Sequence, residues 1–73
     1  METSILEVNE DGLEVSLMDG SNWQINPGDI SKTICWYATQ RIKIEENENE
    51  VYSHTLINLD TAAPDKAKAS RIF

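Results

Sequence analysis

Two Asp-Gly dipeptides, Asp11-Gly12 and Asp19-Gly20, stand eight residues apart and bracket Leu13-Glu14-Val15-Ser16-Leu17, which alternates apolar and polar without a break. Asp-Gly suits the tight turns whose positive φ angles match the twist of paired strands. Strict alternation is the period of a strand with one face buried. The segment before the first corner, Ile5 to Val8, reads as a strand with Leu6 and Val8 inward. After the second corner, Asn22-Trp23-Gln24-Ile25 reads as another, with Trp23 and Ile25 inward. The first 26 residues are therefore expected to form a three-stranded antiparallel meander.

Pro27-Gly28 ends that meander, because Pro cannot donate to a ladder and Gly permits a bend. Asp29 can then cap a short helical turn running through Thr33 or Ile34, with Ile30 and Ile34 on one face. A strand through Thr33–Tyr37 is the competing reading, since that stretch is β-branched and aromatic. Gln40-Arg41-Ile42-Lys43-Ile44-Glu45 alternates again, with Ile42 and Ile44 inward and Arg41, Lys43 and Glu45 in water. Residues 46–50 form a polar loop. Val51 to Asn58 reads as a strand with Tyr52 and Leu56 on one face and Val51, Thr55 and Ile57 on the other. Asp60 to Lys66, with Pro64, is turn-rich. Ala67-Lys68-Ala69 can be a last strand, and Arg71-Ile72-Phe73 either frays or packs.

At 73 residues the chain has room for one small domain, taken as 1–73. A domain of this size buries only about 60% of the surface its unfolded chain exposes. The expected fold class is all-β: a small antiparallel barrel of five to six strands, of SH3-like or OB-like size, with one short helical turn. Closure gives such a short chain a single shared interior and removes edges it could not otherwise cover.

The formal net charge is −7, and it is unevenly placed. Residues 1–31 carry Glu2, Glu7, Glu10, Asp11, Glu14, Asp19 and Asp29 with no Lys or Arg, whereas 32–73 carry six acids and six bases. Nucleic-acid binding needs a basic footprint, which is missing, and the field repels polyanions and anionic lipid. The acidity otherwise serves solubility or a basic partner. No apolar run is long enough to span a membrane. The single Cys35 excludes an internal disulfide and a cysteine-rich zinc site. Between Ile34 and Trp36, its thiol is expected to be buried. The N-terminus, Met1-Glu2-Thr3, is acidic with neither a basic region nor an apolar block behind it. That pattern is expected of a cytoplasmic chain, or of an exported one if the chain is a trimmed mature form.

Asp19-Gly20-Ser21-x-Trp23, then Asp29, Trp36 and Gln40-x-Ile42-x-Ile44, then Leu56-x-Asn58-x-Asp60, follow one another across roughly residues 5–69. In order and spacing the set resembles a group of small bacterial β-barrel proteins with a DGS-x-W hairpin, a second Trp and a late L-x-N-x-D segment. The resemblance implies a fold and carries over no activity, cofactor or catalytic residue. It implies a commonly exported class, which the N-terminus here does not match.

Trp23 and Trp36 are the largest apolar groups and are expected in the core; an exposed indole would instead stack on a sugar or a proline-rich peptide. Trp36, Tyr37 and Tyr52 are the candidate partner-binding residues, able to line an aromatic groove. His54, the only histidine, could pair with Cys35 as nucleophile and base, but neither lies in a reactive motif. Asp11, Asp19, Asp60 and the 45–50 acids are explained by turn chemistry and lack a calcium-loop pattern. Asp19, Ser21 and Asn58 read as structural polar residues. The expected function is a non-enzymatic interaction or structural module for a protein, peptide or glycan, with no cofactor and no metal, as a monomer or weak homodimer. The alternatives are a single-stranded nucleic-acid-binding barrel, which the charge opposes, and a small Cys/His hydrolase.

Overall fold

In the computed structural model, which describes residues 2–48, 51–61 and 65–72, the described residues close into a six-stranded antiparallel barrel with one short helical segment. The strands are β1 (Glu2–Val8), β2 (Glu14–Leu17), β3 (Asn22–Ile25), β4 (Arg41–Glu46), β5 (His54–Asn58) and β6 (Asp65–Arg71). A 3-10 turn (Pro27–Asp29) runs directly into α1 (Ile30–Thr33). Around the barrel the order is β1-β2-β3-β6-β5-β4. Two three-stranded meanders are thus joined edge to edge, with Thr3 facing Ile42 across β1–β4 and Gln24 facing Ser70 across β3–β6. No helix among the described residues is long and apolar enough to cross a membrane.

The alternation read from the sequence sets the interior. Val15, Leu17, Trp23, Ile25, Ile42 and Leu56 point inward and are buried, joined by Ile5, Trp36, Ala67 and Ala69. Large residues face small ones across the ladders, Ile25 opposite Ala69 and Leu56 opposite Ala67, so a narrow barrel fills without overpacking. On the outer wall Ile57 is also buried, between Lys43 and Lys66 in the ladder, so β5 does carry apolar groups on both faces.

Four local expectations are corrected. In β1, Ile5 is fully buried and Leu6 is 56% exposed, the reverse of the simple alternation. A β-bulge against β2 between Ile5 and Glu7 adds one residue, so Ile5 and Val8, three apart, share the interior. Asp29 occupies the cap position of α1 but makes no capping bond. The 3-10 turn is capped instead by Asn26, whose Oδ1 accepts from the Gly28 amide at 3.3 Å. Asp29 Oδ2 accepts from the Lys68 amide at 3.0 Å and so ties the helical segment to β6. Cys35 is exposed, because the inward positions of its turn go to Thr33 and Trp36, three apart. Finally, β5 begins at His54 rather than Val51, which is 94% exposed, and β6 is longer than Ala67–Ala69. Pro64, Phe73 and the 49–50 part of the acidic loop lie outside the described residues.

The strand order decides what happens at the barrel's ends. β3 delivers the chain to the end at which β4 begins, so the link 26–40, containing both helical turns, crosses that end. The β1–β2 turn lies at the same end, and the buried Thr33 Oγ1 donates to the Gly12 carbonyl at 2.7 Å. This link plugs the barrel. The β2–β3 turn, the β4–β5 loop and the end of β6 lie at the opposite end, which no helix crosses among the described residues.

Candidate functional site

The inward side of each strand does not stop at the core. Continued by steps of two, it reaches Gln40 and Asn58 at the plugged end, and Asp19, Ser21, Glu46, His54 and Arg71 at the other. The two sets meet different fates. Under the plug, Asn58 Nδ2 donates to Gln40 Oε1 at 2.8 Å, and the Tyr37 amide donates to the same oxygen at 3.0 Å. Asn58 Oδ1 accepts from the Asp60 amide at 2.9 Å. Asp60 in turn accepts from the Arg41 amide at 2.7 Å and from Arg41 Nη2 at 2.8 Å. These polar groups are engaged with one another, as buried polar groups must be.

At the open end they surround a recess of about 420 Å³, lined by Asp19, Trp23, Ile44, Glu46, His54 and Arg71. Each side chain is placed by its strand. Glu46 and His54 are cross-strand partners at the β4–β5 corner, and Arg71 faces Trp23 across β3–β6. The His54 ring stands edge-on to Trp23, with centroids 4.9 Å apart and planes at 69°. Its Nδ1 lies 2.7 Å from Ser53 Oγ. Trp23 and Ile44 form an apolar floor, and Glu46, Arg71, His54 and Asp19 form a charged and polar rim. Met18, Val51 and Ile72, three large exposed apolar residues, sit on the turns and strand end around this mouth.

One side of the mouth is locked. Trp23 Nε1 donates to Ser21 Oγ at 2.8 Å, and Ser21 Oγ donates to Asp19 Oδ1 at 2.5 Å. The Ser21 amide donates to the same oxygen at 2.9 Å. This is what the Asp-Gly-Ser-x-Trp sequence builds: a turn whose carboxylate holds a serine that holds an indole. Burial acts to raise the Asp19 pKa, but the Ser21 hydroxyl, the Ser21 amide and the Arg71 charge outweigh it and hold the carboxyl below its ordinary 3.8. The Arg41 hydrogen bonds hold Asp60 below 3.8 as well. A depressed folded-state pKa stabilises the fold above the unfolded value, and that contribution is lost as pH falls through the folded value. Urea midpoints are therefore expected to be level above about pH 5 and to drop below about pH 4, and Ser21→Ala should flatten part of that drop.

The residues singled out in the sequence are dispersed. Trp36 is 4% exposed and belongs to the core, whereas Tyr37 is 64% exposed beside the plug. Tyr52 is half-buried in the β4–β5 loop, at the other end of β4 from Tyr37, so the three do not line one groove. Cys35 beside the plug and His54 at the mouth are likewise at opposite ends of the barrel. Asp11, Asp19 and Asp60 serve Leu13, Ser21 and Arg41, and no metal-binding cluster of His, Cys, Asp or Glu is found among the described residues. Glu46, His54 and Arg71 form a group that no sequence motif singles out. The signal was available: each extends the inward parity of its strand by one step beyond Ile44, Leu56 and Ala69. No protein-family model, curated protein or solved structure matches the chain.

Proposed function

We propose that this protein is a non-enzymatic binding module that receives a peptide segment of a partner protein at the open mouth of its barrel. The observation that carries this is the asymmetry of the two ends. At the plugged end the inward Gln40 and Asn58 are hydrogen-bonded to each other and to the backbone beneath the helical link, while the mouth holds Glu46, His54 and Arg71 around a recess that no helix covers among the described residues. Concave sites with an apolar body and a few convergent polar groups are where proteins take ligands. The exposed Met18, Val51 and Ile72 supply the apolar contact that a protein partner covers. A glycan is disfavoured, since Trp23 and Trp36 are 2% and 4% exposed and offer no indole face for a sugar. The net charge of −7 opposes a nucleic acid.

Catalysis finds little support in the side chains present. The Ser21 hydroxyl is buried between Asp19 and Trp23. Ser53 touches His54, but among the described residues no third group orients the imidazole as a base, its aromatic contact being the Trp23 ring. Selection from a random peptide library, followed by amide-shift mapping of a selected peptide on the labelled protein, tests the proposal. Shifts concentrated at Asp19, Glu46, His54, Arg71 and the Trp23 indole are expected, with Tyr37 unmoved. Peptides that map to the plugged end, or a failure to select any peptide while an oligosaccharide binds, would overturn it.

A further inference from the structure

We infer that the mouth is built for a basic side chain, a lysine or arginine presented by an extended partner segment; this rests on the reading of the mouth as a peptide site. Among its charged lining residues, Asp19 is held by Ser21 and feels the Arg71 charge. Glu46 is different. Its carboxylate makes no hydrogen bond or ion pair among the described residues, yet it stands on the rim of a concave site. With His54 counted neutral, Asp19, Glu46 and Arg71 leave one negative charge around the recess.

The shape agrees with the charge. Lysine and arginine carry long aliphatic stems that pack on apolar surface while the charged head reaches polar partners. Ile44, partly exposed above the buried Trp23, provides that surface and Glu46 the partner. The whole molecule carries −7, so its field as a whole favours a basic segment over an acidic one, and Asp19 is the acid of residues 1–31 that lines the recess itself. A neutral apolar side chain would fill the floor and leave Glu46 unmatched. An acidic one would place two carboxylates together at the rim.

The test uses blocked pentapeptides with lysine, arginine, norleucine or glutamate at the centre and alanine elsewhere, together with n-butylamine. Each is titrated into the labelled full chain and read by the Trp23 indole and the Glu46 and His54 amides. Lysine and arginine peptides are expected to shift these signals, norleucine to bind about tenfold more weakly, and glutamate not to bind, as one charge-assisted contact implies. Glu46→Gln, an exposed position, should cut lysine-peptide affinity by about tenfold and leave norleucine binding unchanged. Butylamine should bind more weakly than the lysine peptide, because it makes no contact with Met18, Val51 or Ile72 around the mouth. Equal binding of norleucine and lysine, or an unaffected Glu46→Gln, would overturn the charge inference while leaving the peptide site standing. Butylamine binding as tightly as the lysine peptide would make the recess a small-amine site and overturn the docking. Absence of any mouth shift with all four peptides would overturn both.

Discussion

Trp23→Ala is expected to leave the protein largely unfolded under conditions in which the parent is folded. Trp23 is the largest fully buried side chain, 2% exposed, and it stands between Val15 and Arg71 in the ladders that join β2, β3 and β6. Truncating a buried tryptophan costs about 3–5 kcal/mol in lost transfer energy and residual cavity. Domains hold only about 0.05–0.15 kcal/mol per residue in total, so a chain this short has little to lose. Urea unfolding followed by far-UV circular dichroism measures the loss directly. The indole's polar end separates a second effect. Trp23→Phe removes the Nε1 donor that Ser21 Oγ accepts, at a cost of about 1–2 kcal/mol beyond the change in volume. Trp36 Nε1 is buried with no protein acceptor among the described residues, so Trp36→Phe forfeits no such bond and should be the milder change. A Trp23→Ala protein with a parental urea midpoint, or a Trp36→Phe change costlier than Trp23→Phe, would contradict this account of the core.

Gly12→Ala is expected to be much more damaging than Gly20→Ala, although both glycines sit in Asp-Gly corners with positive φ, +75° and +92°. An L-residue in that region costs about 1–2 kcal/mol at either site. At Gly20 a methyl group would meet nothing within 4 Å, so strain is the whole effect. At Gly12 it would lie 3.1 Å from Thr33 Oγ1, 3.2 Å from Ile30 Cγ2 and 3.3 Å from the Ile34 nitrogen. Thr33, Ile30 and Ile34 of the plug would have to give by a few tenths of an ångström, which is expected to add about 1 kcal/mol of overpacking and to disturb the Thr33–Gly12 hydrogen bond. Thermal unfolding of the two variants side by side measures the difference. Equal losses would show that the plug does not press on the first corner.

The same comparison marks what a sequence of this kind makes legible. Alternation is local, so Val15 and Leu17, Trp23 and Ile25, and Ile42 and Ile44 were placed on the inner face correctly, and the all-β barrel with one helical turn followed from them. A bulge leaves no local mark, because the extra residue in β1 is set by its partner strand; Leu6 was therefore placed inward and Ile5 missed. Closure is equally silent. Nothing near Thr3 announces Ile42, and nothing near Gln24 announces Ser70, so which end is plugged emerges only once the strand order is known. Cys35 escapes a local reading because its apolar neighbours in sequence are not its neighbours in space: the turn hands the interior to Thr33 and Trp36. The mouth was hidden for a related reason. Its polar residues come from the ends of β4, β5 and β6 and from the β2–β3 turn, and each looks like an ordinary polar strand end until the strands are wrapped around a common axis.

The most direct check on this picture lies in the two seams between the meanders. Nuclear Overhauser contacts between the backbones of Thr3 and Ile42 and of Gln24 and Ser70 are expected together in one spectrum, with slow exchange of the amides along both seams. Loss of either pair while the contacts within each meander persist would mean an open sheet, and with it neither a plugged end nor a mouth.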